Sequence, residues 1–437
     1  MSNILIWIDS SIKLEQKIIK LNNALSYKYR NIIFVSKDIK TRNFYLKKGL
    51  SIFSIDEIFE QLPNFFSIEY DDIFPKDIDQ NILKVVMSFA SYRENNLPFP
   101  IYKIYRDPYS QIGILKKSWA SILKEKNITD TLILNGISIN SFSLALSSYI
   151  LGKKVYFWEN GLLPNSIFIN RSGVNAFANI DNFLDKEINE STITKLDDIL
   201  NSFFKGNNIY KKNILVTLQV DSDSNIKCFS PFFGIKEFLD FLSKAFDKRF
   251  YLRNDLRIRS HPKFNLKKKF LNSLFKNNIQ ISSYSLNDDF KWADIVFTIN
   301  STTGLEAILK NKCLICFGNS YYTKFLRFKK FKYFGKIVKV FIYDPNSNSD
   351  YEIRKKLLNS LHSNSLEIKS SDKIWLDILN KLEFEETKPY FTNSLFNDFL
   401  HDTKFIKLAN KNNKILIIEK FIFRIINKFN QLFETFS

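Results

Sequence analysis

The stretch that decides the fold is DIVFTINSTTGLEA, residues 294–307, with CLICFG following at 313–318. The apolar run 294–299 predicts a buried strand, residues 305–309 begin a helix, and 313–318 form the next strand. A strand, a hydroxyl-rich turn and a helix start are typical of the carboxyl edge of a parallel sheet, where unpaired N–H groups and the helix dipole attract anions. The stretch therefore predicts a site for a nucleotide or sugar phosphate.

A second interpretation of the same turn needs no ligand. Thr303 and Glu306 have the spacing of a capping box, in which the Thr side chain caps the helix and the Glu side chain reaches back. Capping boxes are common in helices that bind nothing, so the octapeptide 300–307 leaves both interpretations open. The rest of the chain must decide between them.

Short β-rich runs alternate with helical patterns through most of the chain. Strands are predicted at 4–8, 31–35, 131–134, 154–158, 214–218, 256–259 and 338–343. This alternation predicts an α/β protein with two doubly wound domains, residues 1–205 and 206–385, followed by a helical segment at 386–437. A ligand cleft is expected between the two domains, near the carboxyl ends of both sheets.

Composition narrows the functional classes. The 437 residues carry a formal net charge of +19, which indicates an anionic partner: nucleic acid, anionic lipid, or a phosphorylated or acidic substrate. The lysines are spread along the chain, and neither zinc-finger spacing nor an RNA-binding aromatic motif occurs, so we expect no nucleic-acid partner. Three cysteines are too few for a disulfide framework, and the pair Cys313 and Cys316 lies in an apolar run, which favours buried thiols in a reducing cytosol.

The two ends of the chain bear on its location. The N-terminal run lacks the basic region of a signal peptide, and no uncharged apolar run is long enough to span a bilayer. In residues 414–436 apolar residues recur at helical spacing, interrupted by Lys420, Arg424 and Lys428. A basic amphipathic helix of this kind lies on an anionic membrane surface, or packs on the protein or a partner. We expect a cytoplasmic protein, with peripheral contact to the inner face of the cytoplasmic membrane left open.

Polar residues follow four of the predicted strands. Glu159 follows the strand 154–158, so its carboxylate should project from the sheet edge as an acid or base, although a lone Glu there is more often only solvated. Asp221 and Asp223 follow the strand 214–218. They fit a metal-binding DxD motif, a nucleophile with its orienting neighbour, or an ordinary Asp/Ser turn.

The third segment is RSHPK, residues 259–263, which holds one of the three histidines of the chain between two cations. A positively charged rim formed by Arg259 and Lys263 suits a phosphate or a sugar carboxylate. The alternative for His261 is an exposed loop residue. The fourth segment is the stretch at 300–307.

Together the order and spacing of these segments resemble the capsule polysaccharide synthesis family, which includes retaining Kdo transferases that use a CMP-activated sugar. The resemblance spans roughly residues 130–325. It is carried by WENGLLP at 158–164, GVN at 173–175, LQV at 218–220 running into Asp223-Ser224, HP at 261–262, and NSTTGLEA at 300–307. It implies a glycosyltransferase-B-like fold with two Rossmann-like domains and a CMP-sugar donor.

The resemblance also implies roles for individual residues. Asp223 matches the acidic residue that attacks the anomeric carbon, Glu159 a candidate general base near the acceptor hydroxyl, and His261 a histidine near the donor phosphate. The segment 300–307 would hold the donor: Ser301, Thr302 and Gly304 would cradle the CMP phosphate, and Glu306 would hold the ribose hydroxyls. The remaining residues expected at the substrate-binding surface are Asn160, Gly161, Gln219, Ser224, Arg259, Lys263, Asn300 and Thr303. Helix-start donors stabilise a departing phosphate without a metal, so no metal ligands and no cofactor are expected.

Two departures from the family leave the transferred sugar open. Asn225 stands where relatives often carry Gln, and Thr303 where many carry Val. The predicted function is a retaining glycosyltransferase of bacterial capsule or surface polysaccharide synthesis. It would move Kdo, or a nonulosonic acid such as pseudaminic, legionaminic or sialic acid, from CMP to a saccharide or glycolipid acceptor. The alternative is a non-catalytic, membrane-associated protein of capsule assembly.

Overall fold

The computed structural model describes eleven parts of the chain: residues 2–62, 108–163, 165–178, 212–221, 223–232, 234–246, 254–263, 268–275, 279–333, 336–383 and 389. The chain divides into two compact units. The first contains Met1–Val174, Ser365–Leu400 and Phe405–Ser437, and the second contains Asn175–Asn364 and His401–Lys404. Each unit is described by itself.

The first unit is built on a seven-stranded sheet in the order β14-β6-β5-β4-β1-β2-β3. Its strands are β1 (Ser2–Asp9), β2 (Tyr29–Ser36), β3 (Ile52–Ser54), β4 (Asp130–Leu134), β5 (Lys154–Asn160), β6 (Ser166–Asn170) and β14 (Ser365–Glu367). Strands β1 to β5 pair in parallel in the spatial order 3-2-1-4-5, which is that of a Rossmann-like sheet. Strands β6 and β14 extend the β5 edge antiparallel.

The described residues of this unit form the α-helices α1 (Glu15–Leu25), α2 (Ile39–Leu46), α3 (Ile55–Glu60), α4 (Pro108–Glu125), α5 (Ile139–Ile150) and α12 (Asp372–Glu383). The central strand β1 is buried at every position from Ile4 to Ile8, as expected for a parallel strand covered on both faces. Helix starts are fixed by polar side chains: Asp38 accepts from Thr41 N, and Ser54 forms a capping box with Glu57.

The segment 365–383 lies in the first unit, whereas the sequence placed it in the second domain. Strand β14 pairs antiparallel with β6, and Trp375 of α12 is fully buried in the core that includes β1. The Trp375 indole donates to Glu367 O at 2.8 Å, and Asp372 forms an ion pair with Lys20 of α1. The pairing of β14 with β6, the packing of Trp375 on β1 and the Lys20–Asp372 ion pair join residues more than 150 positions apart, so no local pattern could have predicted them. The predicted junction at 205/206 lies outside the described residues.

The second unit repeats the same plan, with the sheet order β12-β13-β11-β10-β7-β8-β9. Its strands are β7 (Lys212–Thr217), β8 (Asn254–Arg259), β9 (Gln280–Ile281), β10 (Ile295–Thr298), β11 (Cys313–Cys316), β12 (Arg327–Tyr333) and β13 (Lys336–Tyr343). Strands β7 to β11 are parallel, again in the order 3-2-1-4-5, and β12 and β13 are antiparallel. The prediction of two Rossmann-like α/β domains is confirmed.

The helices of the second unit are α6 (Ser224–Phe229), α7 (Ile235–Ala245), α8 (Lys268–Leu274), α9 (Leu286–Trp292), α10 (Thr302–Leu309) and α11 (Asn348–Asn364). Phenylalanine rings dominate the core of this unit. Phe317 makes edge or tilted contacts with four of them: Phe232, Phe238, Phe241 and Phe297. Cys316 is buried there as well, as predicted, whereas Cys313 of the same run is only partly buried.

The predicted C-terminal helical segment, 386–437, lies outside the described residues except for Pro389. Its helical character and its two predicted uses, membrane contact or packing, stay predictions. Among the helices that the structure describes, none combines the length and apolar character that a membrane span requires.

Candidate active site

The carboxyl edge of the second sheet gathers three of the four segments predicted from sequence. At the ends of the central strands, Thr217 of β7 pairs with Thr298 of β10 on one side and with Arg259 of β8 on the other. The loops that follow β7, β8 and β10 therefore leave the sheet side by side. Strand order reverses between β7 and β10, and open α/β sheets bind ligands at such a switch point.

Asp223 lies in the loop after β7 and caps α6. Its Oδ1 accepts from Asn225 N at 2.9 Å, and its Oδ2 accepts from Gln219 Nε2 at 3.2 Å. The buried Gln219 in turn accepts from Asn300 N at 3.3 Å through Oε1. Both oxygens of the half-buried Asp223 carboxylate are thus oriented by the protein. The side chain of the neighbouring Ser224 lies outside the described residues.

Asp221, the other carboxylate of the DxD sequence, has a separate structural role. Its Oδ1 accepts from Ile235 N at 2.7 Å and so caps α7. Gly234 allows this approach, because a Cβ there would lie 2.6 Å from the same oxygen. Within the described parts of the chain, no group of three or more His, Cys, Asp or Glu side chains is arranged to hold a metal ion. The metal-free chemistry expected from the sequence stays a prediction.

Helix α10 begins at the polar turn, and Ser301 is its N-cap. Ser301 Oγ accepts from Thr303 N at 3.2 Å. Thr303 Oγ1 lies 2.8 Å from Thr217 Oγ1, which ties the turn to the end of β7. The capping box of Thr303 and Glu306, one of the two interpretations of this turn, is therefore wrong: the cap lies two residues earlier, and position N3 is Gly304, which has no side chain to reach back. Thr302 is exposed at the first helical position.

Gly304 permits a close contact inside the protein. A Cβ at this position would lie 2.8 Å from Cζ of Tyr322 and closer still to its hydroxyl. That hydroxyl donates to Ser301 O at 2.7 Å and so fixes the N-terminal cap of α10. Burial raises the pKa of Tyr322 well above its usual value, which keeps the hydroxyl protonated as a donor. The sequence predicted a phosphate beside Gly304, but Tyr322 fills the space next to its α-carbon; no motif pointed to Tyr322.

Asn300 is buried and links three loops rather than facing outward. Its Nδ2 donates to Asn225 O at 2.8 Å and to Asn319 O at 3.1 Å. The amide therefore ties the end of β10 to α6 and to the loop after β11. The sequence predicted that Asn300 contacts the substrate, but its side-chain N–H groups donate to the protein backbone instead.

Arg259 is held by a buried carboxylate that the sequence did not reveal. Asp289 of α9 is fully buried; its Oδ2 accepts from Arg259 Nη1 at 2.8 Å and its Oδ1 from Arg257 Nη1 at 3.0 Å. The Arg257 guanidinium lies 3.9 Å from the centre of the Trp292 ring. Two guanidinium groups share one carboxylate, so this cluster has a surplus positive charge. Arg259 is its partly exposed member, and it lies at the carboxyl edge, where an anion would meet it.

His261 and Lys263 follow Arg259 in the loop after β8. The half-buried His261 accepts from Lys263 N at 3.1 Å through Nδ1, so a neutral ring carries its proton on Nε2. The Lys263 side chain is exposed. Glu306 lies on α10: burial raises its pKa, while the charges of Lys310 and Arg259 oppose that rise. Arg259 and Glu306 are therefore close enough to interact electrostatically at this edge.

The fourth predicted segment, Glu159 to Gly161, belongs to the first unit. Strand β5 continues through Asn160, so Glu159 is inside the strand, paired with Phe168, and not after its end as predicted. Glu159 and Asn160 nevertheless lie beyond the end of β4, because the last residue of β4, Leu134, pairs with Trp158. They therefore remain at the carboxyl edge of the first sheet.

Asn160 and Gly161 help to build the β5–β6 hairpin. Asn160 Oδ1 accepts from Lys17 Nζ, which also donates to Ser166 O at 2.7 Å. A Cβ at Gly161 would lie 2.6 Å from the carbonyl carbon of Ser166, so only glycine fits. Burial lowers the pKa of Lys17, a residue that sequence reasoning missed.

These observations define a protein of two Rossmann-like units with a polar, cation-bearing switch-point edge in the second. Residues 194–325 match the family model described as "Capsule polysaccharide biosynthesis protein". The resemblance to this family is thereby confirmed over a segment that contains Asp223, His261 and the turn at 300–307. The matched segment does not reach Glu159.

Solved structures that the chain matches at low similarity include a capsule enzyme and nucleotide-sugar enzymes. Thermosulfurimonas dismutans KpsC, a beta Kdo 2,7 transferase, is 17% identical, with 61% of this chain and 89% of that chain covered and a TM-score of 0.36. Neisseria meningitidis UDP-GlcNAc 2-epimerase is 11% identical, covering 88% and 100%, with a TM-score of 0.32. Acinetobacter baumannii MurG is 11% identical, covering 95% of both chains, with a TM-score of 0.29. At these scores we draw no conclusion about activity. No curated protein matches the chain significantly.

Proposed function

We propose that the protein is a retaining glycosyltransferase of bacterial capsule or surface polysaccharide synthesis. It transfers an acidic 2-keto sugar, Kdo or a nonulosonic acid, from a CMP donor to a saccharide or glycolipid acceptor. The observation that carries the proposal is the Asp223 carboxylate at the switch point of the second unit, oriented through both oxygens by Gln219 and Asn225 N. The family match of the surrounding segment supports it.

In the proposed reaction Asp223 is the nucleophile. One of its carboxylate oxygens forms a bond to the anomeric carbon, the bond from that carbon to the phosphate oxygen breaks, and CMP leaves with the electron pair. The acceptor hydroxyl then attacks the same carbon, its proton passes to a general base, the role that the family resemblance implies for Glu159, and the ester bond to Asp223 breaks. Two displacements at one carbon retain its configuration.

The leaving phosphate is stabilised by groups at the same edge. The first turn of α10 contributes the positive end of its dipole, while the N–H groups of Thr303 and Gly304 donate to Ser301 within the turn. Arg259 adds a guanidinium fixed by Asp289, and His261 offers its Nε2–H as a further donor. Glu306 would accept hydrogen bonds from the ribose hydroxyls.

The deciding experiment is incubation of the full chain with CMP-Kdo, CMP-sialic acid, CMP-pseudaminic acid and CMP-legionaminic acid, with CMP release followed by chromatography. Tryptic peptide 213–227 contains Asp223 and should gain the mass of the transferred sugar. Because the peptide also contains Asp221, Asp221→Asn is the matched control: it keeps an oxygen to cap α7, and the adduct should persist. Asp223→Ser should abolish the adduct.

Each failure of this experiment has its own meaning. CMP release with an inverted product and no adduct would exclude the Asp223 intermediate but leave the transferase proposal standing. Loss of turnover in EDTA would favour a metal-dependent reaction. Release of CMP from none of the four donors, together with binding to anionic vesicles, would favour the non-catalytic assembly protein.

A further inference from the structure

The antiparallel pair β12 and β13, here called the basic arm, extends past the carboxyl edge of the second sheet. Phe341 of β13 pairs with Cys316, the last residue of β11, and pairing of β13 with β12 continues from there to Lys336. At about 3.4 Å per residue, the five further residues carry the arm about 17 Å beyond the edge. The arm is separated from β10 only by β11, so it stands beside the switch-point loops of the same unit.

The charged residues of this arm are all basic. Residues 327–343 include six Lys or Arg and no Asp or Glu. Lys330 and Lys339 are directly opposite each other across the strand pair, a position in which like charges destabilise a sheet. None of the ion pairs formed among the described residues involves Lys330.

An aromatic ring lies beside both of these lysines. The ammonium groups of Lys339 and Lys330 are 5.1 and 5.9 Å from the centre of the Phe328 ring, and Phe328 pairs with Phe341 across the strands. Two cations beside one aromatic ring match the chemistry of an acidic sugar, whose carboxylate pairs with the ammonium groups while its C–H face packs on the ring. The length of the arm suits an extended chain of such sugars.

We propose that the basic arm binds an acidic saccharide chain and holds it beside the switch point, which makes it the acceptor-binding surface of the second unit. The acceptor role rests on the proposed glycosyl transfer, whereas binding of the saccharide requires neither donor nor turnover. The family match ends at residue 325, just before the arm, so the arm is a feature of this chain beyond the matched segment.

The test compares three forms of the full chain: wild type, Lys330→Glu with Lys339→Glu, and the control Lys236→Glu with Lys355→Glu. The control changes the net charge equally at exposed positions of α7 and α11. Binding of a polysialic acid oligosaccharide is measured by calorimetry at low and high salt, beside a neutral dextran oligosaccharide. We expect Kd for the acidic oligosaccharide to rise about tenfold or more in the arm variant and to stay within about twofold in the control.

Two other outcomes overturn saccharide binding by the arm, and a third overturns only its acceptor role. An equal rise of Kd for the acidic oligosaccharide in the arm and control variants would mean that binding depends only on the net charge of the protein. Unchanged oligosaccharide binding in the arm variant, with loss of binding to phosphatidylcholine–phosphatidylglycerol vesicles, would assign the arm to lipid. A wild-type protein that binds the oligosaccharide through the arm but releases no CMP from any donor would refute the proposed function and leave the arm as a saccharide site. Circular dichroism checks that both variants are folded.

Discussion

Gln219 donates from Nε2 to Oδ2 of Asp223 at 3.2 Å, and it can do so in only one orientation of its amide. Its Oε1 is occupied by Asn300 N, which donates to it at 3.3 Å. The amide nitrogen must therefore point at the carboxylate. Gln219 connects the loop after β7 to the end of β10, so the position of Asp223 depends on both sides of the switch point.

The first prediction concerns Gln219→Leu. Leucine keeps the volume but donates no hydrogen bond, so Asp223 loses the partner of Oδ2 and Asn300 N loses its acceptor. We expect kcat for sugar transfer to fall about 10- to 100-fold, while KM for the CMP-sugar changes less, because attack depends on carboxylate orientation. Steady-state kinetics measure the split. An unchanged kcat in Gln219→Leu would show that the reactivity of Asp223 does not depend on its hydrogen bond to Gln219.

Asp223 is the observed cap of α6 and the proposed nucleophile, and three substitutions separate the two roles. Asp223→Ala removes both, and loss of the cap should destabilise the protein by about 1 kcal/mol. Serine and asparagine also cap helices, so Asp223→Ser and Asp223→Asn should keep the wild-type thermal midpoint. All three variants should lose transfer activity. If Asp223→Ser retains turnover, the carboxylate is a cap and the nucleophile lies elsewhere.

Local patterns predicted eight of the ten parallel strands among the described residues, because most of them are short apolar runs followed by a polar turn; the short strands β3 and β9 were missed. The same logic brought the loops after β7, β8 and β10 to one edge. It failed where a contact joins distant parts of the chain. Asp289 lies 30 residues after Arg259, and nothing in its local sequence marks it as the buried partner of two arginines.

Roles of single residues in the turn at 300–307 were harder to predict than its fold. Thr303 and Glu306 have the spacing of a capping box, but Ser301 has the extended backbone and takes the cap. Gly304 fits the pattern of a phosphate-binding glycine, yet the adjoining space is filled by Tyr322 from 18 residues further along the chain. Spacing alone cannot distinguish a glycine that admits a ligand from one that admits a side chain.

The contact between Gly304 and Tyr322 predicts that Gly304→Ala is destabilising. Helix propensity alone would favour alanine by about 1 kcal/mol, so any loss must come from the clash with the ring. Overpacking of a buried site typically costs about 1 to 3 kcal/mol, which thermal unfolding would detect.

Thr302→Ala, at the exposed neighbouring position, is the control and should leave the midpoint of thermal unfolding nearly unchanged. Tyr322→Phe should restore only part of the loss, because a Cβ at 304 also lies 2.8 Å from Cζ. A Gly304→Ala protein as stable as wild type would mean that Tyr322 moves freely.

Lys324, two residues after Tyr322, should make the stability of the protein depend on pH. Its ammonium donates to Ala178 O, and burial lowers the pKa of Lys324 from 10.5 to about 7. Between these two pKa values the unfolded chain holds a proton that the folded protein has released. The free energy of unfolding therefore rises with pH between about 7 and 10.5, by at most about 1.4 kcal/mol per pH unit. Below pH 7 both states are protonated, and the cost of the buried charge is fully present.

Lys324→Met removes this titration, so the variant should be more stable than wild type at pH 6.5, with the difference shrinking as pH rises to 9. Lys236→Met, on the exposed surface of α7, is the matched control, and its curve should run parallel to that of wild type. Thermal midpoints are the quantity to compare, because a chain of two units does not guarantee a single two-state transition. A difference between Lys324→Met and wild type that stays constant from pH 6.5 to 9 would mean that Lys324 keeps its charge in the folded protein.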